Sequence, residues 1–206
     1  MNNDHERRFL AARAGLVLDS EDRSDGESGG LSGYAAVYYD GSPATEFKLW
    51  DGAVERIMPG AFDRALREED DVRALFNHDP SQLLGRSSAG TLELESLSDG
   101  LRYRISPADT TISKDVREHV RAGNLTGSSF SFRVTDEEWI KDGDAEIRLV
   151  SGVELFDVGP VTFPAYQSTT VAARSSCDTW TEGRRRVDDE AARRYREREL
   201  DIIENS

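Results

Sequence analysis

The sequence predicts an α+β protein in which antiparallel strands dominate. The clearest sign is a hairpin: leucines alternate with glutamates in Thr91–Glu95, Asp99-Gly100 supplies a turn, and Leu101–Ile105 returns. The predicted helices are short and few, and the chain lacks the regular alternation of strand and helix that is typical of an α/β-hydrolase. These observations favour sheets built mainly from antiparallel neighbours.

Apolar and β-branched residues predict strands along most of the chain. Before the hairpin, strands are predicted within Arg8–Leu18, Leu31–Tyr39, Thr45–Ile57 and Asp71–Phe76. After the hairpin, strands are predicted from Ser128 to Val134, around Trp139-Ile140, and at Ile147–Val150 and Val153–Val158, with a last apolar element at Val161–Tyr166. Two helices are predicted at Ala61–Arg67 and at Ile112–Ala122, the second with Ser113 as its N-cap.

Composition excludes several classes of function. The chain has 206 residues, a formal net charge of −14 and a pI of about 4.7, which argue against nucleic-acid binding through a broad basic surface. The same charge argues against an anionic membrane as the main partner. The single cysteine, Cys177, excludes an internal disulfide. No apolar run approaches the roughly 20 residues of a membrane span, and the first residues, MNNDHERRFL, do not contain the apolar h-region that is typical of a secretory signal.

The chain divides into a core and two polar ends. Residues 1–30 are predicted to form an N-terminal strand followed by a flexible acidic loop, Asp19–Gly30, that leads into the domain. Residues 31–175 are predicted to be the domain core. Residues 176–206 are dense in charge and poor in apolar anchors, so we expect a tail that is helical or disordered.

The stretch Val120–Val134 is the predicted centre of the chemistry. Phe130 and Phe132 alternate with serines, so a phenylalanine face would enter the core and Ser129 would point the other way, towards a groove. A serine anchored between buried aromatic residues cannot drift, but its hydroxyl needs a nearby base to become a nucleophile. On the pattern alone, an ordinary strand serine remains the alternative.

Three histidines are available as that base: His5, His78 and His119. His78 ends a predicted strand beside a loop, which is a usual place for a catalytic group, although a surface-loop histidine is the alternative. His119 is predicted on the edge of a helix. His78 with its neighbour Asp79 is too small a set for a metal site, and no second ligand stands at the necessary spacing. The chain also lacks the G-x-S-x-G elbow of an α/β-hydrolase, in which the serine lies on a sharp turn between a strand and a helix, so a serine enzyme here needs another fold.

Five stretches, in this order, carry a resemblance to a known family: GYAAVYYD at Gly33–Asp40, ERIMPGAFDRAL at Glu55–Leu66, LFNHDP through LLGRSSAGTLELE at Leu75–Glu95, GNLTGSSFSFRV at Gly123–Val134, and DVGPVTFPAYQSTTVAARS at Asp157–Ser175. Together the match covers roughly residues 8–175. These stretches resemble the prohead, or head maturation, serine proteases of tailed bacteriophages. The resemblance implies a fold similar to that of herpesvirus assembly proteases: a mainly antiparallel β-barrel with a few surrounding helices.

The resemblance also implies site residues. His78 matches the family histidine as general base, and Ser129 matches the family serine as nucleophile, with Ser128 as the alternative in register. Asp157 is the implied orienter of the histidine, although the family usually has Glu-Val-Ser where this chain has Asp157-Val158-Gly159. The oxyanion hole is expected from backbone N–H groups or an ordered water near the Gly123–Gly127 turn. No metal or organic cofactor is expected.

The implied function is an endopeptidase that cleaves the scaffolding part of the major capsid protein, and itself, during capsid assembly. The major capsid protein is the expected partner, the portal protein is a further candidate, and a homodimer or larger oligomer is expected. The place of action would be the host bacterial cytoplasm, inside the assembling prohead. A non-catalytic scaffold or capsid-assembly protein on the same fold is the alternative, and a small-molecule esterase is a weaker one because the familiar serine elbow is missing.

Overall fold

The computed structural model describes residues 5–10, 15–19, 29–68 and 70–163. Eleven strands and two α-helices lie within these residues: β1 Glu6–Leu10, β2 Val17–Leu18, β3 Leu31–Val37, β4 Phe47–Trp50, β5 Ala53–Ile57, α1 Asp63–Arg67, β6 Arg73–Leu75, β7 Leu83–Arg86, β8 Leu92–Ser96, β9 Gly100–Ile105, α2 Thr111–Arg121, β10 Gly127–Asp142 and β11 Ala145–Val161. The predicted tail at 176–206, most of the acidic loop and the end of the predicted element at Val161–Tyr166 lie outside the described residues.

The strands form two sheets, and the strand-rich α+β class is as predicted. One sheet has the order β1-β10-β11-β5-β4, with β6 paired to β11 and β7 paired to β6; the other has the order β2-β3-β9-β8. In the described part of the chain neither sheet closes, so the expected closed barrel is not formed. The reason lies in β11, because its first half pairs with β5 and its second half with β6 on the same side, and the sheet forks there.

The two longest strands, β10 and β11, form one continuous hairpin. The sequence predicts separate strands here, because the polar run around Thr135–Glu138 interrupts the apolar pattern. Pairing nevertheless continues from Gly127 with Val161 to Asp142 with Ala145, and irregularities in register absorb the interruption. Beyond Val134 the residues of β10 are mostly exposed, so the hairpin extends from the core into solvent.

Aromatic side chains from β10 occupy the centre of the core, as the alternation predicts. Phe130 and Phe132 are fully buried, and their rings stack with centroids 4.8 Å apart. Phe62, which directly precedes α1, meets the Phe130 ring edge-on at 5.5 Å. Burying a phenylalanine side chain contributes about 1.5–3 kcal/mol, so these rings anchor β10 within the sheet.

The second helix begins one residue earlier than predicted, and its N-cap lies three residues earlier. Thr110, and not Ser113, is its N-cap: the Thr110 hydroxyl oxygen accepts the backbone N–H of Ser113 at 3.3 Å. Ser113 lies inside the helix and is buried, as is Val116 on the same face. Both serine and threonine are good caps, so composition alone does not distinguish them.

Candidate active site

Ser129 lies on β10, between neighbours that pair with it on both sides. Its register partners are Phe9 on β1 and Gly159 on β11. The residue has no exposed surface, and the next residue, Phe130, enters the core. The backbone of Ser129 is therefore fixed by two ladders and by a buried aromatic side chain.

Ser128, the alternative in register, points into the protein on the other face. Its hydroxyl forms a 2.8 Å hydrogen bond with the hydroxyl of Tyr103, and both residues are fully buried. Burial raises the pKa of Tyr103 above its ordinary value, although the hydrogen bond with Ser128 opposes that effect. Tyr103 therefore stays protonated and Ser128 serves as its partner.

His78 stands on a short loop between β6 and β7 with a rare backbone conformation. Asn77 and His78 have φ angles of 56° and 57°, in the left-handed region that non-glycine residues seldom enter. Asn77 tolerates this conformation better than most residues, and its side chain fixes the loop. The amide donates to the Thr162 hydroxyl at 3.0 Å and accepts the Thr162 backbone N–H at 2.8 Å.

Asp79, the residue after His78, holds the rest of the loop between β6 and β7. Its backbone N–H donates to the Phe76 carbonyl, and its carboxylate accepts the hydroxyl and the backbone N–H of Ser81. These two hydrogen bonds hold the pKa of Asp79 below its ordinary value, so the carboxylate is charged at neutral pH. Asp79 thus shapes the loop through its contacts with Phe76 and Ser81.

The imidazole of His78 connects Ser129 with Asp157. Its Nε2 lies 2.5 Å from the Ser129 Oγ, and its Nδ1 is hydrogen-bonded to the Asp157 Oδ1. His78 and Asp157 are each 8% exposed, so the chain of contacts is shielded from water. In the neutral tautomer with the proton on Nδ1, the imidazole donates to the carboxylate and Nε2 is free to accept the serine proton.

Asp157 reaches this position from β11. It pairs with Ser131 of β10 on one side and with Arg73 of β6 on the other, so the carboxylate is placed by the sheet itself. Aspartate is one methylene shorter than glutamate, yet its carboxylate contacts His78 directly because β6, which leads into the His78 loop, is its neighbour.

Strand β1 supplies two further contacts that the sequence does not predict. The Ser129 hydroxyl also lies 2.8 Å from the Arg8 carbonyl, to which it can donate. The Phe9 ring meets the His78 ring at 87°, with centroids 5.9 Å apart. Nothing in the sequence of β1 marks these contacts, because one is made by a backbone atom and both depend on long-range pairing. The role of Asn77 could have been predicted from its residue type, since asparagine is among the non-glycine residues that most often adopt the left-handed backbone conformation.

The other two histidines lie elsewhere. His5 stacks on Phe156 with ring centroids 3.9 Å apart, and His119, near the end of α2, contacts the side chain of Asn124. Among the described residues, no three His, Cys, Asp or Glu side chains gather as a metal site would need. Ser131, on the same face as Ser129, has a buried hydroxyl without a hydrogen-bond partner.

Comparison with protein families identifies a match to the caudovirus prohead serine proteases over residues 16–182, which is most of the chain. The chain belongs to this family. Prohead proteases are peptidases that act in the maturation of phage capsids, and the chain is one of them. Strand β1 precedes the segment that the family model matches.

A solved structure, that of the capsid assembly protease of bacteriophage T4, is similar to this prohead protease. The identity is 14%, the match covers 78% of this chain and 98% of the T4 protein, and the TM-score is 0.46. A search of curated proteins finds no match. None of the helices in the described part of the chain has the length and apolar character that crossing a membrane requires.

Proposed function

We propose that this prohead protease is a serine endopeptidase in which Ser129 is the nucleophile, His78 the general base and Asp157 the orienter of the histidine. One observation carries the proposal: a single buried imidazole contacts the serine hydroxyl through one nitrogen and the carboxylate through the other. This is the arrangement by which unrelated serine proteases activate a weak nucleophile.

In the proposed mechanism the Ser129 Oγ attacks the carbonyl carbon of the peptide bond. His78 Nε2 takes the hydroxyl proton as the C–O bond forms, and Asp157 stabilises the resulting imidazolium through Nδ1. The tetrahedral intermediate collapses, the imidazolium gives its proton to the leaving amine, and the acyl-enzyme remains on Ser129. Water, deprotonated by the same imidazole, then releases the acid product. The oxyanion donors near the Gly123–Gly127 turn stay a prediction.

The proposed substrate is the scaffolding part of the major capsid protein, followed by the protease itself. The portal protein is a further candidate substrate or partner, and we propose a homodimer or larger oligomer. The proposed place of action is the assembling prohead in the host bacterial cytoplasm. Residues 31–175 are the proposed protease domain, preceded by the β1 segment and acidic loop of residues 1–30 and followed by a charged tail at 176–206.

The test is co-expression of the natural chain, Ser129→Ala and His78→Ala with the capsid protein of the same phage. We expect processing by the natural chain and none by either variant, read by mass spectrometry of the capsid protein. Ser128→Ala is the matched control, because it removes the same hydroxyl one residue away; it loses the Tyr103 contact but keeps the nucleophile.

Each other outcome points to a defined alternative. Processing that persists in Ser129→Ala and disappears in Ser128→Ala would transfer the nucleophile to Ser128. Capsids that assemble with no processing by any version would favour a non-catalytic scaffold protein on the same fold. Hydrolysis of a small ester without any action on capsid protein would favour an esterase.

A further inference from the structure

Ser129 is closed to any peptide in this structure. It has no exposed surface, and His78 beside it is 8% exposed. An endopeptidase must bring the carbonyl carbon of a polypeptide to the serine Oγ, at a separation of about 3–3.5 Å. Something that covers Ser129 therefore has to move before the proposed reaction begins.

Strand β1 makes the contacts that close the site. It pairs antiparallel with β10 along Glu6–Leu10, with Phe9 directly opposite Ser129. Its Phe9 ring meets His78, and its Arg8 carbonyl lies 2.8 Å from the serine hydroxyl. A hydroxyl has one proton, so donation to the Arg8 carbonyl removes that proton from His78 Nε2. The strand thus blocks access and competes for the proton that the mechanism moves.

The position of β1 is the position that an extended peptide needs. Peptides bind to sheet edges by adding a strand, with backbone hydrogen bonds to the exposed ladder. The other side of β10 is taken by β11 from Gly127 to Asp142, so the edge that becomes available beside Ser129 is the one β1 covers. A carbonyl group of a strand bound there replaces the Arg8 carbonyl next to the nucleophile.

An ionic cluster holds β1 in place. Arg8 donates to Glu55, which has no exposed surface, at 2.5 and 2.7 Å. Arg148 of β11 reaches Glu6 of β1 and Glu55 of β5 as well, at 2.6 and 3.0 Å. Glu137 of β10 completes the cluster through Arg148 Nε. The cluster holds β1 through its side chains on the sheet, apart from the groups that contact Ser129 and His78.

We propose that β1 is an internal occupant of the peptide-binding edge of β10, and that substrate binds as an antiparallel strand only after β1 has left. The inference rests on the proposed function of Ser129. It predicts an equilibrium between a closed form, in which Ser129 is inert, and an open form that accepts an extended polypeptide.

A reversible lock on β1 tests the inference in the full chain. Arg7 is exposed and faces Ser131 across the strand pair, and the Ser131 hydroxyl has no partner to lose. The variant is Arg7→Cys with Ser131→Cys, in a Cys177→Ser background so that no other thiol competes. The probe is a small fluorophosphonate that reacts with active serines, and the readouts are its labelling rate and cleavage of capsid protein. Arg7→Cys alone and Ser131→Cys alone, each oxidised and reduced, are the controls.

We expect the oxidised double variant to label at least tenfold more slowly than its reduced form, and to regain the rate and the capsid cleavage when dithiothreitol is added. Equal rates in the two forms, with the cross-link proven by mass spectrometry, would overturn the inference and leave the proposed nucleophile intact.

Hydrogen exchange separates failure of the inference from failure of the proposed function. In the natural chain we expect the amides of β1 to exchange at least tenfold faster than those of β11, because β1 opens without global unfolding. If β1 and β11 exchange only together, the inference fails. If β1 opens in this way but Ser129 is never labelled in any reduced form, the proposed function fails.

Discussion

The two sides of the candidate site are held by different means. Ser129 lies within a paired strand, between β1 and β11, and is followed by a core phenylalanine. His78 stands on a loop of left-handed residues that the Asn77 side chain ties to Thr162. The fold as a whole fixes the serine, whereas a few local hydrogen bonds fix the histidine. Changes in the two regions should therefore separate stability from activity.

The largest effect is expected at Asp157, where both regions meet. Asp157→Asn keeps the size of the side chain but removes the charge that, in the proposed mechanism, stabilises the imidazolium and favours the productive tautomer. We expect kcat to fall by about 10²–10⁴-fold, measured as the rate of capsid-protein cleavage. Asp136→Asn, the same change at an exposed position of β10, should leave the rate unchanged. A fall of less than threefold at Asp157 would mean that the histidine is oriented by other groups.

Removing an anchor of the serine strand should reduce stability instead. Phe132→Ala deletes a fully buried ring that stacks on Phe130, and such deletions cost about 3–5 kcal/mol in the free energy of unfolding. Urea denaturation provides the measurement, with Phe163→Ala as the matched control because Phe163 is 84% exposed. If the Phe132 variant is as stable as the control, the core phenylalanines do not anchor the strand that carries Ser129.

The histidine loop should show the opposite behaviour. Asn77→Ala removes the two hydrogen bonds to Thr162 and places a less tolerant residue at a φ of 56°. We expect kcat to fall by roughly tenfold while the free energy of unfolding changes by only about 1 kcal/mol.

Asn77→Gly separates the two causes, because glycine accepts the backbone conformation but cannot bind Thr162. Activity should stay low in that variant, and Asn77→Asp, which can still accept the Thr162 N–H, should recover part of it. Full activity in Asn77→Gly would show that backbone conformation alone positions His78.

The smallest effect concerns pH and the ionic cluster on β1. Burial acts to raise the pKa of Glu6, but hydrogen bonds from Arg148 and Arg8 outweigh it, and the pKa is lowered below the ordinary value of 4.5. A carboxyl whose pKa is lower in the folded state than in the unfolded state stabilises the fold at pH values above its unfolded-state pKa. This contribution is lost as the pH falls through the folded-state pKa. Stability in urea should therefore decrease below about pH 4.5. Glu6→Gln should show a weaker decrease, and an equal one would exclude Glu6 as a source.

Local pattern was enough to predict the parts of the site that depend on alternation. The phenylalanine face of β10 is visible in the sequence because its residues alternate with serines. The strand end at His78 is visible because turn-forming residues interrupt the apolar run there. Asp157 is implied only by the family resemblance. Local pattern does not predict its contact with His78, because the two residues are 79 positions apart and meet through the parallel pairing of β6 with β11. The fork in the sheet and the contacts of β1 were not predictable, because they depend on which strands meet and not on what each strand contains.

Gly159 has a consequence for how the histidine reaches the serine at all. It is the β11 partner of Ser129, and a Cβ placed on it would lie 2.2 Å from the Leu75 carbonyl oxygen. The end of β6, which leads to His78, therefore approaches β11 more closely than a side chain at position 159 would allow. Gly159→Ala should push the His78 loop away from β11 and separate the His78 imidazole from the Ser129 hydroxyl. A position with no polar side chain thus sets the clearance on which the proposed mechanism depends, and filling it should abolish cleavage while Ser129, His78 and Asp157 are all still present.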